Sequence, residues 1–214
     1  MVKEHKTGKW DLNSQSKALI RRRKKFIAKT LDKVPYGSSV FTIPCGTGWL
    51  LPLLKRQRYK IVAGNPSIEE VAMTKHSMGE YGENCIDRAD SFYIVDIYST
   101  NFKDNCFDAV ILNLDFCNLE KPESRHYVLR EFHRICSGPI IIPLVFNTRI
   151  NVMTFVFKNL IPRRQSNYTI SEDFGIIVED VRKADLFIER LIPIQPFFSK
   201  QWYMVLRRLP KNND

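Results

Sequence analysis

Two glycines, Gly46 and Gly48, carry the clearest chemical signal in the sequence. They separate a β-branched run that ends at Ile43 from a segment, beginning at Trp49, that has the length of a helix. Glycines at such a strand-to-helix junction let a ligand approach the backbone closely. A tight turn without any ligand explains the pair equally well. The third glycine of the dinucleotide fingerprint and the Gly-Lys-Ser/Thr of a phosphate loop are both missing, which disfavours NAD enzymes and nucleotide triphosphatases.

Cysteine and histidine do not indicate a metal site. None of the five cysteines has C-x-x-C spacing with another, and their odd number leaves at least one unpaired. We therefore expect reduced thiols, and no zinc site, because the four histidines supply no close pairs either. Cys117 could serve as a nucleophile, but nothing near it in sequence indicates an activated thiol, and inert buried thiols are commoner.

The segments that would position these residues alternate between strand and helix. A capping box at Ser67-Ile68-Glu69-Glu70 opens one helix, which we expect to run toward His76. The last two strands are joined by a connection so short that they must be antiparallel. The repeated alternation predicts an α/β fold, a parallel sheet with helices on both faces. The predicted strands are Ser39–Ile43, Lys60–Gly64, Phe92–Val95, Phe107–Leu112, Pro139–Phe146, Leu186–Pro193 and Gln201–Leu209, and the other helices are Ser16–Leu31, Trp49–Lys55, Pro122–Cys136 and one opening at Ser171–Asp173.

Length and composition are those of one globular domain. The chain has 214 residues, of which 44% are hydrophobic and 26% charged. We expect a flexible arm over residues 1–15 and a single domain over 16–214. No apolar run approaches the roughly 20 residues of a membrane-spanning helix. The polar N-terminus is not followed by the apolar stretch of a secretory signal, so a cytoplasmic location is expected.

The net charge of +10 favours anionic partners without choosing among them. Five adjacent cations, Arg21 to Lys25, lie on the first predicted helix. They cannot all share one helix face, so some must flank or cover its apolar stripe with their long stems. The run is either a solvated helix face or an anion-binding surface.

Several motifs together resemble those of a known family. The segment Val40–Gly48 resembles the first motif of class I S-adenosylmethionine-dependent methyltransferases, especially a bacterial group that reads V-L-D-I/V-P-C-G-T-G. Asn65-Pro66-Ser67 looks like the D-x-S segment of that family. Asp96, followed twelve residues later by Asp108, is similar to its G-D-A…F-P-D-N-S-F-D-A-V pattern. Further resemblances, L-R-E-F-x-R-V at Leu129–Ile135 and F-S-x-Q-W at Phe198–Trp202, extend the match over residues 17–209.

The resemblance implies a Rossmann-like sheet of seven strands, mostly parallel, in the order 3-2-1-4-5-7-6 with the last strand antiparallel. It implies S-adenosylmethionine as cofactor, with the glycine loop cradling its methionine part and position 65 holding the ribose. Asp96 would accept a hydrogen bond from the adenine amino group, and the backbone N–H of Ile97 would face a ring nitrogen. The implied cofactor-binding residues are Thr42, Pro44, Cys45, Gly46, Thr47, Gly48, Asn65, Pro66, Asp96, Ile97 and Asn113.

Three positions depart from the family pattern. Thr42 stands where the first strand of the family carries an acid that helps hold the cofactor ammonium group, and Asn65 replaces the ribose-binding acid. Cys117-Asn118 stands where relatives often have two histidines. A charge-assisted hydrogen bond is roughly twice as strong as a neutral one, so a weaker hold on the cofactor is expected.

Two functional readings remain open at the level of sequence. In the first, the protein is a methyltransferase whose acceptor is a small molecule, a phosphorylated or lipid-linked sugar, or RNA. In the second, the fold has lost catalysis and serves as a binding or scaffold module for RNA or another polyanion. Asn113, Asp115 and Asn118 are the candidate acceptor-facing residues of the first reading, although ordinary polar loop positions would look the same. The sequence determines neither the acceptor nor the oligomeric state.

Overall fold

A computed structural model describes residues 17–72, 90–114, 116, 119, 122–145, 172–194 and 201–210. The arm predicted over residues 1–15 lies outside this part. The strands are β1 Ser39–Ile43, β2 Lys60–Asn65, β3 Ser91–Ile94, β4 Ala109–Leu112, β5 Ile140–Val145, β6 Leu186–Pro193 and β7 Gln201–Arg208. The helices are α1 Lys17–Leu31, α2 Leu51–Arg56, α3 Pro122–Ile135 and α4 Glu172–Lys183.

The seven strands form one sheet in the order β3-β2-β1-β4-β5-β7-β6. The first five strands pair in parallel, and β7 runs antiparallel to both β5 and β6. The predicted strand order and the reversed last strand are therefore confirmed. Every residue of β4 is buried, as expected for a parallel strand covered on both faces.

Alternate residues of each strand enter two separate cores, one on each face of the sheet. Phe41 and Ile43 of β1 pack with apolar residues of α3 and α4, whereas Val40 packs with those of α1 and α2. Among the five cations at the start of the chain, Arg23 is buried and donates a hydrogen bond to Gln201 Oε1 on β7, at 2.8 Å. The expectation that this run could not stay on one solvated face is confirmed.

Element ends differ slightly from the sequence prediction. Phe107 does not extend β4 but forms a single bridge with Cys136. Asp108 explains why β4 begins only at Ala109, because the Asp108 Oδ2 accepts a hydrogen bond from the backbone N–H of Ser39 at 2.9 Å. The cap at Ser67 is confirmed, since its Oγ accepts from Glu70 N at 3.2 Å. That helix is described only to residue 72, so the predicted extension toward His76 lies beyond the described part.

A close backbone contact ties the start of β5 to the start of β4. A Cβ added at Gly138 would lie 1.9 Å from the carbonyl oxygen of Asp108. Asp108 N in turn donates to Ser39 O at 2.9 Å, and Ser137 N donates to Phe107 O at the same distance. The beginnings of β1, β4 and β5 therefore meet at a point where only a residue without a side chain fits.

Candidate functional site

The loop after β1 lies where the strand order reverses, between β1 and β4. Crevices at the carboxyl ends of parallel strands bind ligands at such switch points. The loop turns tightly, with Cys45 N bonded to Gly64 O and Gly48 N bonded to Cys45 O, each at 2.9 Å. Gly46 and Gly48 have φ values of 54° and 70°, in the left-handed region that favours glycine.

Gly46 is exposed and has open space beside it. A Cβ built on this residue would meet no atom within 4 Å. The loop therefore offers bare backbone toward the crevice, as the close approach of a ligand requires. Thr47 is half-buried beside it, and Gly48 is buried under the turn.

Thr42, which the sequence resemblance predicts to stand at the position of a family acid, is fully buried at the end of β1. Its Oγ1 accepts a hydrogen bond of 2.7 Å from Asn113 Nδ2, just beyond β4. Asn113 N also donates to Ile43 O at 2.8 Å, so the ends of the two strands are joined twice. Thr42 and Asn113 therefore form a neutral hydrogen-bonded pair at the end of β1.

Asn65, which the sequence resemblance predicts to replace a ribose-binding acid, ends β2 and is fully buried. Its Oδ1 accepts from Gly46 N at 3.4 Å, and its Nδ2 donates to Cys45 Sγ at 3.2 Å. The amide thus braces the glycine loop. Pro66, the next residue, is exposed at the same edge of the sheet.

Asp96 and Ile97 follow β3 at that edge. Val95 N donates to Asn65 O at 2.9 Å, which places Asp96 beside the end of β2. The carboxylate of Asp96 is exposed, with Oδ1 accepting from Tyr98 N at 2.9 Å, and Ile97 packs partly into the core.

The structure therefore gathers the candidate residues Thr42 to Gly48, Asn65, Asp96 and Asn113 at one edge of the sheet. Their cofactor-binding roles stay predictions. The candidates Asp115 and Asn118, together with Cys117, lie outside the described residues. The hydrogen bonds of Asn65 and Asn113 to the loop and to Thr42 were not predicted, because they depend on the register of neighbouring strands, which the sequence does not encode locally.

Glu131 on α3 anchors the segment that carries Asp96. It is buried, and its Oε1 accepts from the backbone N–H of Thr100 at 2.8 Å. Arg134, one turn along, bonds Glu131 Oε2 at 2.9 Å and the carbonyl of Phe102 at 2.6 Å. Sequence reasoning placed both residues within a family-like motif but assigned them no role.

Replacing Glu131 with glutamine should lower the free energy of unfolding by about 2 kcal/mol at pH 7, because Arg134 loses a buried partner. Burial raises the pKa of Glu131, but the hydrogen bonds from Arg134 and Thr100 outweigh it, so the pKa in the folded protein is lowered. The stabilisation is thus present above the unfolded pKa of about 4.3 and is lost as pH falls through the lower folded value. Urea denaturation at a series of pH values measures both effects.

The control for this prediction is Glu179→Gln on α4. Glu179 also pairs with an arginine three residues along, Arg182, at 2.8 Å, but the Glu179 side chain is 45% exposed and that of Arg182 is 70% exposed. Such pairs contribute little, so no measurable change is expected. Equal losses in the two variants, or a loss at Glu131 that does not shrink toward acidic pH, would contradict the proposed anchor.

Comparisons with known proteins bear on this site. A family model described as a methyltransferase domain matches residues 41–138, which include the last three residues of β1, the glycine loop and β4. No curated protein sequence matches the chain significantly. Many solved structures do match.

Three of these structures illustrate the likeness. An S-adenosylmethionine-dependent methyltransferase from Clostridium acetobutylicum is 12% identical with a TM-score of 0.64, over 89% of this chain and 92% of that one. The magnesium protoporphyrin IX methyltransferase of Synechocystis, solved with bound SAH, is 16% identical with a TM-score of 0.60, over 89% and 84%. The [4+2]-cyclase SpnF is 14% identical with a TM-score of 0.63, over 88% and 81%. The resemblance inferred from the motifs is confirmed, and the fold is the Rossmann-like class I methyltransferase fold.

Proposed function

We propose that this chain, whose residues 41–138 match a methyltransferase domain, binds S-adenosylmethionine and transfers its methyl group to an acceptor. The observation that carries the proposal is the open glycine loop at the switch point of the sheet. Gly46 presents bare backbone in a left-handed conformation, with nothing within 4 Å of where a side chain would lie. This is the shape that a ligand needs in order to lie against the backbone.

The residues around the loop fit the parts of this cofactor in order. The backbone of residues 44–48 would hold the methionine part, and the exposed carboxylate of Asp96 would accept from the adenine amino group. Ile97 N–H would donate to a ring nitrogen. Asn113 donates to Thr42 through Nδ2, and no donor to its Oδ1 lies among the described residues, so this oxygen can accept from the cofactor ammonium or from the acceptor.

The cofactor supplies a methyl group already bound to a positively charged sulfur, which makes it reactive without a universal catalytic base. The protein has mainly to align the acceptor with that methyl group and exclude water. We assign acceptor contacts to Asn113, Asp115 and Asn118, which follow β4 in the sequence.

The hold on the cofactor is expected to be weak. Thr42 is neutral and hydrogen-bonded to Asn113, and both polar atoms of the Asn65 side chain are turned to the loop. Loss of a charge-assisted hydrogen bond costs about 1 to 3 kcal/mol, which is about 5- to 150-fold in affinity for each position.

Isothermal titration with S-adenosylmethionine and with S-adenosylhomocysteine tests the proposal. We expect saturable heat with a Kd of roughly 10 μM to 1 mM, above the low micromolar values of tight cofactor sites because of the two missing acids. Methionine alone serves as the control and should give no saturable heat. Absence of heat with both compounds at millimolar concentration would rule the proposal out.

A second candidate function is a binding module without catalysis. One observation favours it: Thr42 and Asn65 are fully buried and satisfied by protein partners. In addition, the fold is shared with a protein named as a cyclase, so the fold alone does not imply methyl transfer. In this candidate the basic surface of α1 would hold RNA or another polyanion, and the oligonucleotide arm of the experiment below examines that binding.

A further inference from the structure

A cleft separates α1 from the adjoining ends of β6 and β7. Arg22, Lys25 and Lys29 form its rim, and its floor is made by Phe26, Tyr203 and residues 192–194. Its volume is about 210 Å³. The cleft is distinct from the glycine loop.

The rim is cationic. Helix α1 contains seven lysines and arginines and no acidic residue. Arg22, Lys25 and Lys29 are spaced i, i+3 and i+7, so they follow one face of the helix over about 10 Å at 1.5 Å per residue. Among the described residues none of the three forms an ion pair, whereas Arg125 elsewhere pairs with Asp180 at 2.9 Å. A bound anion would relieve the repulsion among them.

The floor is apolar. The ring of Phe26 stacks on that of Tyr203, with centroids 4.9 Å apart and planes inclined by 8°. Burial raises the pKa of Tyr203 to about 12, so its hydroxyl is neutral under ordinary conditions. Ile194 completes the floor and is itself almost entirely buried. A cationic rim over an apolar floor complements a molecule that has both an anionic and an apolar part.

Strand register places this cleft at the same edge of the sheet as the glycine loop. Tyr203 pairs with Pro143 of β5 and with Ile192 of β6. Ile141 of β5 pairs with Ile111 of β4. Two residues further along each of these parallel strands, Pro143 is therefore level with Asn113. Neighbouring strands lie about 4.8 Å apart, which puts β7 roughly 10 Å from β4 and roughly 14 Å from β1.

We propose that the cleft binds the phosphate-bearing end of the methyl acceptor, an amphipathic small molecule. Its phosphate lies against Arg22, Lys25 and Lys29, and its apolar part lies on Phe26 and the end of β6. Its methyl-accepting atom reaches the glycine loop, roughly 14 Å across the carboxyl edge of the sheet. This assignment rests on the proposed methyltransferase function, since it names the acceptor of that reaction.

Two macromolecular partners fit the observations less well. A membrane surface would require apolar side chains to insert, and none of the large hydrophobic residues that are exposed belongs to α1. A single-stranded nucleic acid would use free aromatic faces for stacking, but Phe26 already stacks on Tyr203. A small molecule with one phosphate group and one apolar part complements both the cationic rim and the apolar floor of the cleft.

Calorimetric titration of the full chain with n-octyl phosphate, below its micellar concentration and without cofactor, tests the assignment. We expect octyl phosphate to bind at least about tenfold more tightly than inorganic phosphate, because only octyl phosphate has an apolar chain that can cover the apolar floor of the cleft. The double variant Lys25→Gln, Lys29→Gln should weaken octyl phosphate binding about tenfold or more. Arg21→Gln removes an exposed cation of α1 that does not line the cleft, and should change it less than about twofold.

The outcomes separate the possibilities. Equal affinity for octyl phosphate and inorganic phosphate, or equal effects of the double variant and Arg21→Gln, overturns the assignment. Suppose instead that a 20-nucleotide oligouridine binds more tightly than octyl phosphate, in a salt-sensitive way, and loses this binding in the double variant. That result also overturns the assignment, in favour of a polynucleotide site. Binding only to vesicles of anionic phospholipid overturns it in favour of a membrane surface. Because no cofactor is present, failure here is distinct from failure to bind S-adenosylmethionine.

Discussion

Replacing Gly138 with alanine is expected to lower the free energy of unfolding by about 3 to 5 kcal/mol, a large part of the total stability of a domain this size. The new Cβ would lie 1.9 Å from the carbonyl oxygen of Asp108 and 3.0 Å from its carbonyl carbon. Neither atom belongs to a flexible side chain, so one backbone segment must move.

The surrounding hydrogen bonds resist that movement. Asp108 is bonded through its backbone N–H to Ser39 O and through Oδ2 to Ser39 N, each at 2.9 Å. Val110 N donates to Pro139 O at 3.1 Å on the other side. Displacing Asp108 therefore strains the pairing of β4 with both β1 and β5, at the centre of the sheet.

The matched control is the same substitution at Gly175. This residue lies in α4, is exposed, and has no atom within 4 Å of its Cβ position. Alanine there should increase stability by about 0.5 to 1 kcal/mol, since glycine is a poor helix former. Guanidinium denaturation of the two variants should show midpoints moving in opposite directions. A Gly138→Ala protein as stable as the wild type would mean that the close contact with Asp108 is wrong.

Replacing Gly46 with valine should weaken S-adenosylmethionine binding by at least about 100-fold. Gly46 has a φ of 54°, and its exposed side faces the open space in which we place the cofactor. A branched side chain would occupy that space, and the loop would tend to leave the left-handed conformation, which costs a non-glycine residue about 1 to 3 kcal/mol. Titration calorimetry measures the loss of affinity directly.

The variant Gly37→Val is the control that separates the effect of backbone strain from the effect of a blocked cofactor site. Gly37 is exposed, has a φ of 81° and has no atom within 4 Å of its Cβ position, but it lies in the turn between α1 and β1. Both variants should lose similar stability, and only the Gly46 variant should lose the cofactor. If Gly37→Val lowers affinity as much, the effect reflects general destabilisation, and the loop is not the binding site.

The architecture followed from the sequence because its signals are local. Apolar β-branched runs such as Ser39–Ile43 and the cap at Ser67 depend on few neighbours in the chain, and both are found where predicted. The strand order itself came from the resemblance to a family, which combined motifs from β1 to β7.

The candidate site was predictable only in outline. The sequence placed Thr42, Asn65 and Asn113 near one another, but it did not show that their polar atoms bond to each other and to the loop. The cleft under Arg22 and Lys25 also depends on how α1 packs against β7, some 175 residues away in sequence. Such contacts join distant segments, so no pattern within a short window encodes them.

The position of β7 also has a consequence for synthesis on the ribosome. β6 leaves the ribosome before β7, yet β7 is its neighbour in the sheet and separates it from β5. The nascent chain must therefore hold β6 unpaired until residues 201–208 have emerged and inserted between the two strands. During that interval the edges of β5 and β6 are both open, which is the condition that favours recruitment of chaperones and mispairing with other chains.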